Sequence, residues 1–157
     1  MRRFISMTDR RRHSPEHARI LAALVAQIMA ATPPGHSRDW WLLFEPRLCL
    51  GGEVVVPDVA GWRSSHRREI EHQTEITVAP EWVCDLVPPV DDEADPRTPS
   101  WYARHGISVA WRIDPVDRTV EVLERRGSGW WCTSHTESLR AEPFQAIELD
   151  LRAAWKA

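Results

Sequence analysis

Apolar positions follow a helical period near the amino end of the chain and come in short runs beyond it. Ile20, Leu21, Leu24, Val25 and Ile28 recur at three- and four-residue steps, which predicts an amphipathic helix. Ser14-Pro15-Glu16-His17 supplies its start: a capping side chain, a proline suited to the first turn, and an acid at the positive helix end. Thr32-Pro33-Pro34-Gly35 breaks it. Residues 40–45 then form an apolar, aromatic run that ends at Pro46. Leu48-Cys49-Leu50 leads to the turn pair Gly51-Gly52, and Val54-Val55-Val56 leads to Pro57-Asp58. Residues 63–75 are densely charged without a clean period, which predicts a solvent-facing excursion. Residues 82–87 are almost continuously apolar, the mark of a central strand buried on both faces, yet they contain Asp85.

The second half reads mostly as strands. Pro88-Pro89 and the acidic stretch 91–95 predict a loop, and residues 99–104 a short helix closed by Gly106. Residues 107–113 form a strand, followed by a turn at 114–118. Residues 119–123 alternate as a half-exposed strand, and Gly127-Ser128-Gly129 turns into residues 130–133. One short strand region over 138–149 and a helical turn over 151–155 complete the chain. The expected fold is α/β (α+β): a helix, then a mixed, mostly antiparallel sheet with one inserted helix, forming a single domain over 14–157. Residues 1–13 carry Arg2, Arg3, Arg10, Arg11 and Arg12 with few apolar anchors. They predict a flexible basic arm, with nucleic-acid contact as the alternative.

Composition narrows the classes. A chain of 157 residues, 43% hydrophobic and 27% charged, has the size and balance of one globular domain. No apolar run approaches the ~18 residues of a membrane span, and the basic start lacks the apolar segment of a signal peptide, which points to the cytoplasm. Cys49, Cys84 and Cys132 are odd in number and widely spaced, so incidental or buried thiols are expected rather than a disulfide or zinc framework. A net charge of -3 does not announce a nucleic-acid binder. Of 20 basic residues, Lys156 is the single lysine. Arginine is the better fork for phosphate but does not deprotonate, so any mechanism needing a central lysine must do without it.

Asp58 and Asp85 carry the candidate chemistry. One carboxylate ending a strand and another inside the next strand can bind a hard divalent cation through oxygen. Asp85, inside an apolar run, requires a partner to offset its desolvation. Asp58 after Pro57 is equally an ordinary turn residue. His17 reads as a first-turn packing or capping residue, and the nine tryptophans as core, with base stacking by Trp40, Trp41 or Trp101 as the alternative.

Several segments, taken in order, resemble the putative restriction endonuclease family, a bacterial branch of the PD-(D/E)xK nuclease superfamily. They are Ser14-Pro15-Glu16-His17, the 40–46 run, Val56-Pro57-Asp58-Val59-Ala60-Gly61-Trp62-Arg63, the 79–85 run, Tyr102-Ala103-Arg104-His105-Gly106 and Trp111-Arg112-Ile113-Asp114-Pro115, with a tail through 140–151. The resemblance covers about residues 14–155. It implies a restriction-endonuclease-like core and a Mg²⁺ site, with Mn²⁺ as an alternative ion. The implied ligands are Glu45, Asp58 and Asp85, and the implied substrate is DNA, with no membrane partner. A homodimer is among the states the sequence leaves open.

Two departures from the family pattern bear on catalysis. The family's second strand reads E-V-L-S-P-S, where this chain has Asp85-Leu86-Val87-Pro88-Pro89-Val90, a shorter acid and a proline for the serine. The family lysine falls at Arg97 when aligned on Pro99 and at Thr98 when aligned on Tyr102. Arg97 can stabilise charge on a phosphate but cannot act as a base; pairing with Asp92 or Asp95 is the structural alternative. The expected function is therefore a Mg²⁺-dependent DNA endonuclease of reduced activity, with Asp58, Asp85 and Arg97 as its catalytic residues. The competing expectation is a catalytically defective domain of the same fold that binds nucleic acid or a partner protein.

Overall fold

Helix α1 (Pro15–Ala31) buries Ile20, Leu21, Leu24, Val25 and Ile28, the stripe set by its sequence period. Ser14 caps it: the His17 N–H donates to the Ser14 hydroxyl at 3.2 Å. Among the described residues ten strands follow: β1 (Trp40–Phe44), β2 (Leu48–Leu50), β3 (Glu53–Val55), β4 (Val59–Arg63), β5 (Trp82–Leu86), β6 (Val109–Asp114), β7 (Thr119–Arg126), β8 (Gly129–His135), β9 (Ser138–Leu139) and β10 (Leu149–Asp150). Among them lie the short helices α2 (Arg67–Ile70) and α3 (Pro99–Arg104), and α4 (Leu151–Trp155) ends the chain. This computed structural model describes residues 13–31, 39–87 and 95–157. Residues 1–12 of the predicted arm, the breaker at 32–35 and residues 88–94 of the predicted loop lie outside the described residues.

Six strands form one sheet in the order β1-β4-β5-β6-β7-β8. Every neighbouring pair is antiparallel except β5 and β6. The exception follows from connectivity, since the chain between β5 and β6 passes through α3 and returns in the same direction. Side-chain alternation gives the sheet two packed faces. Trp82, Cys84 and Leu86 of β5 join Trp111, Ile113, Val120 and Val122 in the core under α1. Val83, Ala110 and Leu123 face the other way, onto Trp101 and Tyr102 of α3 and the β2–β3 hairpin residues Leu48, Leu50 and Val55. The mostly antiparallel mixed sheet agrees with the sequence expectation. Among the described residues no helix is long and apolar enough to cross a membrane.

Three segments differ from that expectation. The segment after Asp58 is strand β4, buried at Val59, Ala60, Gly61 and Trp62 and flanked by β1 and β5. Asp58 therefore precedes a central strand instead of closing β3, and β2 and β3 form a separate hairpin. The charged stretch 63–75 is not wholly solvent-facing. It folds into a 3₁₀ turn and α2, which buries Ile70. The region 138–149 splits into β9 and β10, which pair with each other.

Candidate functional site

Strand register builds the site. Val59 pairs with Cys84 at the end of the β4–β5 ladder, so the next cross-strand positions are Asp58 and Asp85. Both carboxylates share the face of Ala60 and Val83, opposite α1. The ladder stops there, and each aspartate caps the backbone of the other strand. The Asp58 N–H donates to Asp85 Oδ1 at 2.9 Å, and the Leu86 N–H donates to Asp58 Oδ2 at 2.8 Å. Two otherwise orphaned amide donors are thereby satisfied by charged acceptors, the strong kind of hydrogen bond. The short aspartate side chain at 85 suits this reciprocal reach. Asp58 and Asp85 are 5% and 6% exposed as whole residues.

Arg97 fills the space between the acids. Its Nη1 donates to Asp58 Oδ2 at 3.0 Å and lies 3.4 Å from Asp85 Oδ1. Its other edge grips Asp95, with Nη2 at 2.8 Å from Oδ2 and Nε at 3.1 Å from the same oxygen. The Arg97 N–H also donates to Asp95 Oδ1 at 2.9 Å, making residues 95–97 a self-closed turn. Helix α3 begins directly after it: Thr98 caps the helix by accepting from the Trp101 N–H, and Pro99 occupies the first turn. One turn on, the Tyr102 hydroxyl donates to Asp85 Oδ2. On the other side, His13 Nε2 lies 3.0 Å from Asp58 Oδ1, and the imidazole donates because a carboxylate only accepts.

Electrostatics follow from crowding three carboxylates around one guanidinium. Burial pushes the Asp85 carboxyl up from 3.8 to about 6; Arg97 opposes the rise, Asp58 adds to it, and the Tyr102 hydrogen bond opposes it. Burial, and then the Asp85 charge, raise the Tyr102 phenol, which stays a hydroxyl donor. Burial likewise raises the Cys84 thiol, on the α1 face of β5, so it is a packing group rather than a nucleophile. The Arg97 guanidinium is held above its ordinary value: burial alone would lower it, but the hydrogen-bonded Asp95 and the charges of Asp85 and Asp58 outweigh that.

The expected site residues meet in part. Asp58, Asp85 and Arg97 converge, and Arg97 pairs with all three acids rather than with Asp95 alone. Glu45 lies in the same row, because Phe44 pairs with Val59 and the Glu45 N–H donates to the Asp58 carbonyl at 2.9 Å. Its backbone φ is +48°, however, and its side chain is exposed. Among the described residues no three His, Cys, Asp or Glu side chains gather into a metal-holding group. Trp101 is buried and stacked on His105 at 3.8 Å between ring centroids, so that face is already taken. Trp40 lies 4.2 Å beneath the Arg63 guanidinium.

Sequence reading missed His13, which it assigned to the arm, and Tyr102 as a site residue. Tyr102 carried a usable signal, since a phenol on the apolar face of a short helix must find a partner when buried. His13 carried none, because its partner is 45 positions away.

The family described as putative restriction endonuclease matches residues 9–154. The chain belongs to the putative restriction endonuclease family. No curated protein matches it. Among solved structures it is similar to a putative nuclease from Anabaena variabilis, with a TM-score of 0.74 at 20% identity, over 93% of this chain and 83% of that one. The sheet and helices of this family member thus form a restriction-endonuclease-like core. The acid pair also fits the ion such a core implies. Oxygens from the lead-in to β4 and from β5, Asp58 Oδ2 and Asp85 Oδ1, converge on one cationic nitrogen, Arg97 Nη1. Mg²⁺ is commonly held by one or two carboxylates together with water and substrate phosphates.

Proposed function

We propose that this family member is a Mg²⁺-dependent DNA endonuclease of low activity, able to use Mn²⁺, with Asp58 and Asp85 as the residues that hold the ion. The observation that carries this reading is the convergence of those two carboxylates on one cationic group at the end of adjacent strands. A hard divalent cation there supplies charge relief on phosphoryl oxygens and makes a nearby water more acidic. Glu45, next in the row, is the proposed third oxygen donor once its exposed side chain turns inward. Tyr102 orients Asp85, and His13 orients Asp58, through the hydrogen bonds they donate. Arg97 supports charge on a phosphate but cannot take a proton from water, which is why low activity is proposed.

A second reading, a catalytically silent domain that binds nucleic acid or a partner protein, is favoured by one observation. The Arg97 guanidinium already pairs with both acids.

Nicking of supercoiled plasmid, with Mg²⁺ or Mn²⁺ and with chelator, separates the two. On the endonuclease reading the wild-type chain nicks slowly with metal, and Asp58→Asn or Asp85→Asn loses about 10²-fold or more. A folded wild-type chain and a folded Arg97→Lys variant that both leave the plasmid intact would favour the silent domain.

A further inference from the structure

We infer that Arg97 is a tethered cation that competes with divalent metal for the Asp58–Asp85 pair, so that the site is held shut until the 95–97 turn is displaced. The inference rests on the reading of that pair as a metal site and adds the device that regulates its occupancy.

Three features of the geometry support it. First, the guanidinium sits where the two carboxylates converge, 3.0 Å from Asp58 Oδ2 and 3.4 Å from Asp85 Oδ1. A metal ion and Nη1 need the same two oxygens, so occupancy by one excludes the other. Second, the Arg97 side chain is only 3% exposed. This is a seated group and not a surface arginine lying across an opening. Third, the contact is split between the two edges of the fork. Nη1 serves the acid pair, while Nε and Nη2 serve Asp95, two residues back on the same turn. Asp95 can therefore go on neutralising the guanidinium when Nη1 leaves the pair. Withdrawal leaves the arginine paired with Asp95, and the two acids it gives up are compensated by the entering metal ion.

The competition has a quantitative signature. A closed state that excludes the ligand weakens apparent affinity by the fraction of molecules that are open. Minor states of such two-state elements are commonly about 0.1–10% populated, so removing the guanidinium should tighten metal binding by about 10- to 1000-fold.

The test is calorimetric titration of Mn²⁺ into the full chain as wild type, Arg97→Met, Arg97→Lys and Asp95→Asn, with folding checked by circular dichroism. The expected order of affinity is Arg97→Met tightest and wild type weakest. Arg97→Lys and Asp95→Asn should fall between, the first keeping a charge without the fork and the second loosening the hold on Arg97. Should Arg97→Met fail to fold without metal, the other two variants still decide the matter. Equal and measurable affinity in wild type and every folded variant would overturn the competing-cation inference while leaving the metal site standing. Absence of Mn²⁺ binding in every folded variant would overturn the metal site itself, and the inference with it.

Discussion

At the scale of single residues, the informative number is the Asp85 carboxyl near 6 against an ordinary 3.8. Its sign has a direct consequence. Between those values the folded chain binds more protons at this position than the unfolded chain does. The contribution of Asp85 to stability is therefore full below the unfolded value and falls as pH rises through the folded one. Asn at this position carries no charge at any pH, so it removes that slope. Urea unfolding in chelator should find Asp85→Asn most damaging near about pH 4 and progressively less so toward about pH 7. A substitution cost that does not change over this range would mean that Asp85 titrates as it does in the unfolded chain. The carboxylates themselves were legible in the sequence, because an acid inside an apolar run demands an explanation. Arg97 was legible beside them, with Asp92 or Asp95 as its alternative partner, but the other two partners were not. His13 reaches Asp58 from 45 positions away, and Tyr102 reaches Asp85 from 17.

At the scale of elements, β4 is the strand the sequence concealed, and the reason is visible at Gly61. This residue pairs with Leu42 on one side and Trp82 on the other. A Cβ there would meet Leu42 Cδ2 at 2.8 Å and Trp82 Cε3 at 3.1 Å. Glycine inside a strand weakens its local signal, but here it makes room for the fully buried Trp82 ring. The cause lies in the neighbouring strands, out of reach of any local pattern, and so Asp58 was read as ending β3 when it leads into β4. The helices suffered less. Capping by Ser14, closure by Gly106 and the 20–28 stripe are local features, and α1 and α3 formed where they pointed. Gly61→Val should destabilise by about 1–3 kcal/mol, the usual cost of overpacking. The Leu42 tip can shift, but the Trp82 ring, packed edge-on against Trp111 and Phe144, cannot do so freely. A urea midpoint unchanged from wild type would mean that β1 and β5 are looser around Gly61 than this packing implies.

At the scale of the whole molecule, charge is divided between a rim of surface pairs and one buried network. Arg47 and Glu75 make a short 2.8 Å contact, yet their side chains are 52% and 49% exposed. Water screens such a pair, and its net contribution is about 0–1 kcal/mol. Asp58, by contrast, accepts from the Leu86 N–H, from Arg97 and from His13, and is 7% exposed at its side chain. The elements it joins are otherwise distant: the lead-in to α1, the end of β5 and the turn before α3. Deleting its carboxylate takes one of three acids from the Arg97 guanidinium, which retains Asp95 and Asp85, and leaves a buried amide without its acceptor. Removing one partner of a buried ion pair typically costs about 3–5 kcal/mol. Asp58→Ala should therefore lie near that figure by urea unfolding in chelator, while Glu75→Ala stays within about 1 kcal/mol of wild type. The contrast also bears on any cleavage assay, because an inactive Asp58→Ala would report lost folding as readily as lost chemistry. Asp58→Asn keeps an oxygen acceptor for the Leu86 N–H and should cost less than the alanine change. If Asp58→Ala proved no more damaging than Glu75→Ala, the acid pair would have no structural role, and an inactive Asp58→Ala could then be read as lost chemistry alone.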